Sequence, residues 1–288
     1  MLASWKKNSI PSLFAQQTHK AEKPIYISPV SWLFVAFFCE IFSCGIFSYR
    51  RANAQESKQV KFGSPIDVSL LKTLRPPYSV ADYFLLLPES LFEYEGKTKP
   101  FDTKSRRLIL QSGTSDSARM NGVDFFLGAL ETFNTFLVVN TPESDKGTSF
   151  SVAQWTYTTL PPKAKKPVKK PLIGWCKRRW TAQGSMSEVR FFTFENATWQ
   201  EVTAQVFTPL KMTEFFQWSG LKKLPNLQAP VDYELARSEQ AIIGRLDMQL
   251  LAKMPELQPI ASGLERHVQI RTVEIRLKDS IFAVTNKY

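Results

Sequence analysis

Short apolar runs separated by polar turns characterise the chain over residues 59–157. Each run is only a few residues long and is flanked by Pro, Gly, Asn or Asp, a pattern that is typical of β-strands rather than helices. The pattern predicts strands at 83–87, 91–94, 107–110, 125–127, 136–139 and 152–157. It leaves room for one helical turn within 128–136.

Alternating apolar and polar residues predict strand pairs in the C-terminal part of the chain. The predicted pairs are 188–194 with a strand that begins near Thr198, 231–235 with 241–250, and 272–277 with 281–284. Polar turns at 195–197 and 278–280 separate the partners of the first and last pairs, which indicates β-hairpins. A helix that is interrupted near Pro209 is expected within 202–218.

A segment rich in proline and lysine, PPKAKKPVKKP at 161–171, interrupts this pattern. Proline has no backbone N–H and favours extended, unpaired conformations, so the composition indicates a loop. We therefore interpret 161–185 as a basic loop or linker between two β-rich sections, 55–160 and 186–288. The sequence predicts a mainly β fold, with antiparallel sheets in two sections joined by this Pro/Lys-rich loop, and it also allows an α+β arrangement.

An apolar run near the N-terminus, SWLFVAFFCEIFSCGIFS at 31–48, bears on where the protein resides. Lysines precede the run, and the small residues Ala52 and Ala54 follow it. A basic segment, an apolar core and an Ala-x-Ala site together characterise a secretory signal peptide. We therefore predict that residues 1–54 are a targeting segment, that cleavage follows Ala54, and that the protein is exported to the periplasm or cell envelope.

Two other roles for this segment stay open. The basic segment is long, Glu40 interrupts the apolar run, and Arg50 and Arg51 lie just before the cleavage position, so 31–48 is alternatively a retained membrane anchor. A carboxylate at the centre of a spanning helix is costly, which weighs against that alternative. The third role is lipid attachment at Cys44 in a sequence that resembles a lipobox, where the bulky Phe42 fits poorly. The intact mass of the protein from its native source distinguishes these three routes.

The net charge of +11 is concentrated in one place. The residues after 54 carry a net charge of +7, and without one cluster of eight cations this value becomes −1. The cluster comprises Lys163, Lys165, Lys166, Lys169, Lys170, Lys177, Arg178 and Arg179. The positive charge is therefore local and not a property of the whole folded surface, which disfavours nucleic acid as a partner.

This basic cluster and two tryptophans that lie among its residues, Trp175 and Trp180, form the predicted polyanion-binding site. Clustered cations attract polyanions through counterion release, and an indole ring can stack on a ligand or lie at a lipid interface. An anionic membrane or glycan is the expected partner. The competing interpretation is a solvated loop whose tryptophans belong to the hydrophobic core.

Few residues offer catalytic or metal chemistry. His19 precedes the apolar run and Cys39 and Cys44 lie inside it, so the exported part retains only His267 and Cys176. A multi-histidine metal site is therefore not predicted, and no catalytic residue, metal or cofactor is assigned. Hydrolysis by paired carboxylates remains open, and its candidates are Asp116, Asp124, Glu131, Glu195 and Glu201.

The sequence therefore favours an exported, non-enzymatic envelope protein with a structural or binding role. An exported carboxylate-dependent hydrolase and a membrane-anchored assembly or scaffolding subunit are the two alternatives. A water-accessible cleft with two carboxyl groups roughly 5–9 Å apart would favour the hydrolase.

Overall fold

Two antiparallel sheets and a layer of short helices make up the described part of the chain. A computed structural model describes residues 68–94, 101–113, 117–120, 123–131, 135–141, 145–159, 166–216, 226–237, 241–255 and 267–288. The predicted targeting segment, 1–54, and its apolar run lie outside these residues. Among the described residues, no helix is both long enough and apolar enough to span a membrane.

The helices are short and the strands vary widely in length. The α-helices are α1 (Val68–Thr73), α2 (Val80–Leu86), α3 (Thr103–Ser112), α4 (Thr203–Val206) and α5 (Met248–Leu251), and 3-10 helices occupy Glu89–Phe92 and Met212–Glu214. The strands are β1 (Ser117–Met120), β2 (Val123–Glu131), β3 (Phe136–Asn140), β4 (Gly147–Thr159), β5 (Val168–Thr181), β6 (Gly184–Glu195), β7 (Thr198–Glu201), β8 (Val231–Leu235), β9 (Ala241–Leu246), β10 (Thr272–Lys278) and β11 (Ile281–Lys287).

Within each sheet, strands that follow one another in sequence pair with one another in space. The first sheet has seven strands in the order β1 to β7, and the second has four in the order β11, β10, β9, β8. All of these pairs are antiparallel. The predicted mainly β fold with antiparallel sheets is therefore confirmed.

One face of the seven-stranded sheet is covered by the helices of the N-terminal half. Aromatic rings dominate this core: the Phe92 ring lies edge-on to Phe84, with centroids 5.4 Å apart, and 5.2 Å from the ring of Phe150 on β4. The indole N–H of Trp199 on β7 donates to the Leu86 carbonyl at the end of α2, at 2.9 Å. These contacts hold the helical layer against the sheet.

The opposite face of the same sheet packs against the four-stranded sheet. Leu172 and Cys176 of β5 share this second core with Tyr233 of β8, Ile242 of β9 and Phe282 of β11. The seven-stranded sheet is therefore the middle layer of three, and it contributes residues to both cores.

Several local predictions are wrong because helix-capping residues decide between helix and strand. The predicted strands 83–87, 91–94 and 107–110 fall largely in α2, the first 3-10 helix and α3, and the proposed helical turn begins inside β2. Ser79 and Asp82 form a reciprocal capping box at the start of α2. Asp102 accepts a hydrogen bond from Ser105 N at the start of α3. These side chains satisfy N–H groups that an emerging helix leaves without partners.

The interpretation of 161–185 as a loop is also wrong for most of its length. Residues Val168–Thr181 form β5, which pairs with β4 on one side and β6 on the other. Pro171 is accommodated in this strand because it lies opposite Thr156, whose backbone groups point away from β5, and because the register with β6 begins only at Leu172. The chain therefore does not divide into two β sections at this segment, because one sheet runs through it.

The predicted strand pairs agree well with the structure elsewhere. Strands 125–127, 136–139 and 152–157 lie inside β2, β3 and β4, and the hairpins β6–β7 and β10–β11 turn where predicted. Their turn residues Asn196, Ala197, Asp279 and Ser280 have positive φ angles, as tight hairpin turns require. Only the first part of 241–250 is a strand, and the expected helix around Pro209 is present as α4 and a 3-10 helix.

Candidate functional site

Strand β5 distributes the predicted basic cluster over two faces and two ends. Successive side chains of a strand point to opposite faces, so Trp175 and Lys177 face the helical layer whereas Cys176 and Arg178 face the second sheet. Nine residues separate Lys169 from Arg178, which corresponds to about 30 Å along a strand. The cluster is therefore not one continuous surface.

Trp175 belongs to the core beneath the helices. Its side chain is 1% exposed, and its ring centroid lies 6.5 Å from that of Phe150. The prediction that Trp175 contacts a ligand is therefore wrong. A large aromatic residue in the middle of a central strand is better stabilised by burial than by exposure.

The cations at the C-terminal end of β5 contact the rest of the protein. Lys177 donates to the Glu93 carbonyl, and burial together with the charge of Arg179 lowers its pKa. Arg178 donates from Nε to both carboxylate oxygens of Asp232 on β8, at 3.0 and 2.7 Å. Burial alone would lower the pKa of Arg178, but the hydrogen bonds and charge of Asp232 raise it. These two side chains join layers of the fold.

Arg179 and Trp180 lie at the same end of the strand. Arg179 is exposed, and it pairs in register with Thr148 of β4 and Met186 of β6. The indole ring of Trp180 covers Gly147, where an added Cβ would come within 2.1 Å of the ring. Gly147 therefore allows Trp180 to lie flat against β4, which leaves Trp180 half-buried.

The other end of the cluster is exposed at the turn end of the β4–β5 hairpin, next to the connection between the two strands. We call residues 156–159 and 166–170 the hairpin end. Lys166 and Lys169 are exposed and have no ion-pair partner among the described residues, whereas Lys170 pairs with Glu195 on β6. Lys163 and Lys165 lie outside the described residues. Thus Lys166 and Lys169 are both exposed at this end of the hairpin, and Lys170 belongs to an ion pair.

A polar cleft lies beside these lysines, between the hairpin end and the turn that joins β10 to β11. We call it the threonine cleft, and its volume is about 430 Å³. Its lining residues are Thr156, Thr158, Thr159, Pro167, Leu277, Asp279 and Ser280. The volume lies within the range of small-molecule sites, but the lining is rich in hydroxyl groups where most such sites are apolar.

The cleft opens where no other described strand pairs with this edge of β4. Pairing with β3 ends at Ala153, and beyond it the turn at Ser280 contacts the bare edge of β4. Ser280 Oγ accepts from Thr158 N at 3.2 Å and donates to Thr158 O at 2.5 Å. The sequence predicted the strand and the turn separately. No local pattern indicated that they meet, because the contact joins residues far apart in the chain.

The remaining chemical candidates do not converge on this cleft. Cys176 is buried, its thiol donates to the Tyr233 carbonyl at 3.4 Å, and burial raises its pKa, so the reactive thiolate is disfavoured. The described residues include no group of three or more His, Cys, Asp or Glu placed to hold a metal ion.

The carboxylates considered for hydrolysis are spread over the first sheet. Asp124 and Glu131 lie on β2, Glu195 pairs with Lys170, Glu201 accepts from Thr203 Oγ1 at 2.9 Å, and Asp116 lies outside the described residues. None of the four described side chains lines the threonine cleft. No protein family, curated protein or solved structure matches this chain.

Proposed function

We propose that this protein is an exported, non-enzymatic protein of the cell envelope and that it binds a polyanion through its hairpin end. The observation that carries the proposal is the exposure of Lys166 and Lys169 at the end of a long hairpin, where no other described residue forms an ion pair with them. Lys163 and Lys165 lie next to them in sequence. The apolar run at 31–48 and the Ala-x-Ala site that follows it support the envelope location.

Lysines without partners are better suited to a ligand than paired ones. A cation that already pairs with a carboxylate gains little from a second anion, whereas an unpaired one releases counterions or relieves repulsion on binding. Each lysine near an anionic surface contributes roughly 1 kcal/mol. If all four lysines at 163, 165, 166 and 169 contact the anionic partner, their summed contribution of about 4 kcal/mol supports weak, salt-sensitive retention.

Charge removal at the hairpin end tests this proposal. The variant K163Q/K165Q/K166Q/K169Q should lose affinity for dextran sulfate and for vesicles that contain phosphatidylserine by on the order of 1,000-fold at low salt. Wild-type binding should weaken steeply as salt is added, because exposed charges are screened. Co-sedimentation over a salt series measures both effects.

The helical layer supplies a matched control. Lys72, Arg75, Lys104 and Arg107 are exposed and have no ion-pair partner among the described residues, so K72Q/R75Q/K104Q/R107Q removes the same charge elsewhere. This control should retain most of the affinity. Equal loss in both variants would show that net charge alone drives binding, and no loss in the hairpin variant would overturn the proposal.

A further inference from the structure

Thr156 occupies a gap in the pairing along the edge of β4. Its neighbours on that edge are both satisfied: Gln154 N donates to Thr135 O at 2.9 Å, and Thr135 Oγ1 donates to Gln154 O at 2.8 Å. At Thr158 the hydroxyl of Ser280 serves both backbone groups. Alternate residues of a strand direct their backbone groups to the same side. The N–H and C=O of Thr156 therefore also point to this edge, where no described residue bonds to them.

A hydroxyl group is the partner that this protein uses at such positions. Ser280 Oγ bridges the N–H and C=O of Thr158. Ser187 Oγ acts similarly at the edge of β8, where it accepts from Tyr233 N and donates to Val231 O. A hydroxyl can donate and accept at once, so it satisfies both groups that an edge residue presents. A ligand hydroxyl at Thr156 would repeat this arrangement.

The gap is too short for an additional β-strand. An added strand would need successive edge residues with unpaired backbone groups, but the edge groups of Gln154 and Thr158 already have partners. A small alcohol needs only the single position at Thr156. The hydroxyls of Thr156 and Thr158 lie on one face of β4, about 7 Å apart along the strand, and they offer further hydrogen bonds beside that position.

A cation lies on the same face as these hydroxyls. Lys169 pairs in register with Thr158, and cross-strand partners share a face of the sheet. Asp279 lines the cleft from the opposite side, is exposed, and has no ion-pair or hydrogen-bond partner among the described residues. Its carboxylate can accept hydrogen bonds from ligand hydroxyls, but it repels acidic groups, which are therefore directed towards Lys166 and Lys169.

We propose that the threonine cleft recognises the sugar units of an acidic polysaccharide, with a ligand hydroxyl bridging the N–H and C=O of Thr156 and the acidic groups lying at Lys166 and Lys169. This inference rests on the proposed function and names its ligand class. The alternative polyanions, vesicles whose anionic lipid is phosphatidylserine and linear polyphosphate, carry the charge but lack the closely spaced hydroxyls of a sugar unit.

Removal of the hydroxyl-binding groups tests the inference without changing the lysines. Thr156→Pro deletes the edge N–H at a position that faces away from β5, where proline is tolerated. The variant T156V/T158V keeps both β-branched side chains and removes their hydroxyls. Binding of polygalacturonate, a uronic-acid polymer, should weaken about tenfold in each variant, because one or two hydrogen bonds are lost. Binding of linear polyphosphate should be unchanged.

Thr208→Val provides the control, because Thr208 is exposed and lies outside the cleft. Circular dichroism shows whether each variant is folded. If Thr156→Pro does not fold, the binding of T156V/T158V to polygalacturonate tests the inference alone. Selective loss of polygalacturonate binding supports the inference.

Two results would overturn the inference, and they are distinguishable. If polygalacturonate, polyphosphate and anionic vesicles bind alike and respond only to the lysine variant, the proposed function holds and the sugar-binding cleft is refuted. If wild-type protein binds none of these probes, the proposed function fails and the inference fails with it.

Discussion

At the scale of single residues, Arg106 shows how one buried cation completes a helix. The carbonyl of Phe84 would ordinarily accept from the residue four positions later, but that residue is Pro88, which has no N–H. Arg106 Nη1 donates to this carbonyl and to that of Leu87, at 2.5 and 2.9 Å. The guanidinium also lies 4.3 Å from the centre of the Phe92 ring. Burial lowers the pKa of Arg106 to about 9. The hydrogen bonds and the contact with the ring offset part of the cost of burying the charged guanidinium.

The substitution Arg106→Met should therefore destabilise the protein by about 3 kcal/mol, because two buried carbonyl groups lose their donor. Its neighbour provides the control: Arg107 is exposed, and Arg107→Met should change stability by no more than about 0.5 kcal/mol. Urea unfolding of both variants measures the difference. Equal stabilities would show that water replaces the guanidinium at the end of α2.

At the scale of elements, the sequence predicted most strands of the second half and missed the nature of the helices. The alternation of apolar and polar residues identifies a hairpin such as β10–β11, because one face of the hairpin is buried and the other is exposed to solvent. The run at 83–87 is apolar throughout, so periodicity cannot separate a buried strand from a short helix. The signal that decides is the pair Ser79 and Asp82, whose spacing matches a capping box.

Strand β5 and the candidate site show a different limit. Lysine and proline are rare in central strands, so composition predicted a loop at 161–185. The strand forms because residues 172–176 are buried on both faces, which depends on two layers that local sequence does not reveal. Lys166 and Lys169 were identified as candidates from the sequence. The threonine cleft was not, because Ser280 approaches Thr158 only in the folded chain.

The ion pair between Arg178 on β5 and Asp232 on β8 leads to a prediction about how these two strands are held together. Asp232 is 3% exposed and accepts from Arg178, so Asp232→Ala should leave a partly buried guanidinium without its partner. We expect a loss of about 2 kcal/mol, below the value for a fully buried pair because Arg178 is partly exposed. Glu234→Ala removes the exposed pair with Arg245 on the same sheet and should cost no more than about 0.5 kcal/mol. Similar losses in thermal denaturation would contradict this ranking.

At the scale of the whole molecule, the shared middle sheet makes residues of both halves interdependent. Phe192 of β6 packs under the helices, while its neighbour Phe191 packs against the second sheet. Because the two cores lie on opposite faces of the same sheet, disruption of the sheet would expose both of them. The described part of the chain should therefore unfold as one cooperative unit, not as two sections.

Two cavity-forming variants test this cooperativity. The side chains of Phe84 and Ile242 are fully buried. Phe84→Ala creates a cavity in the core under the helices, and Ile242→Ala creates one in the core between the sheets. Each should destabilise the protein by about 2–5 kcal/mol and shift a single transition. Near-ultraviolet and far-ultraviolet circular dichroism should report the same midpoint for each variant. Separate midpoints for the two signals would contradict unfolding as one cooperative unit.

The pairing of sequence neighbours within each sheet also bears on how quickly this molecule can fold. Short loops close at small entropic cost, so local pairings of this kind are expected to form early. Strands β1–β7 can associate as soon as they are synthesised, but the face that carries Leu172 and Cys176 stays uncovered until β8–β11 follow. We expect this interval, rather than strand pairing, to be when the nascent chain is most prone to self-association.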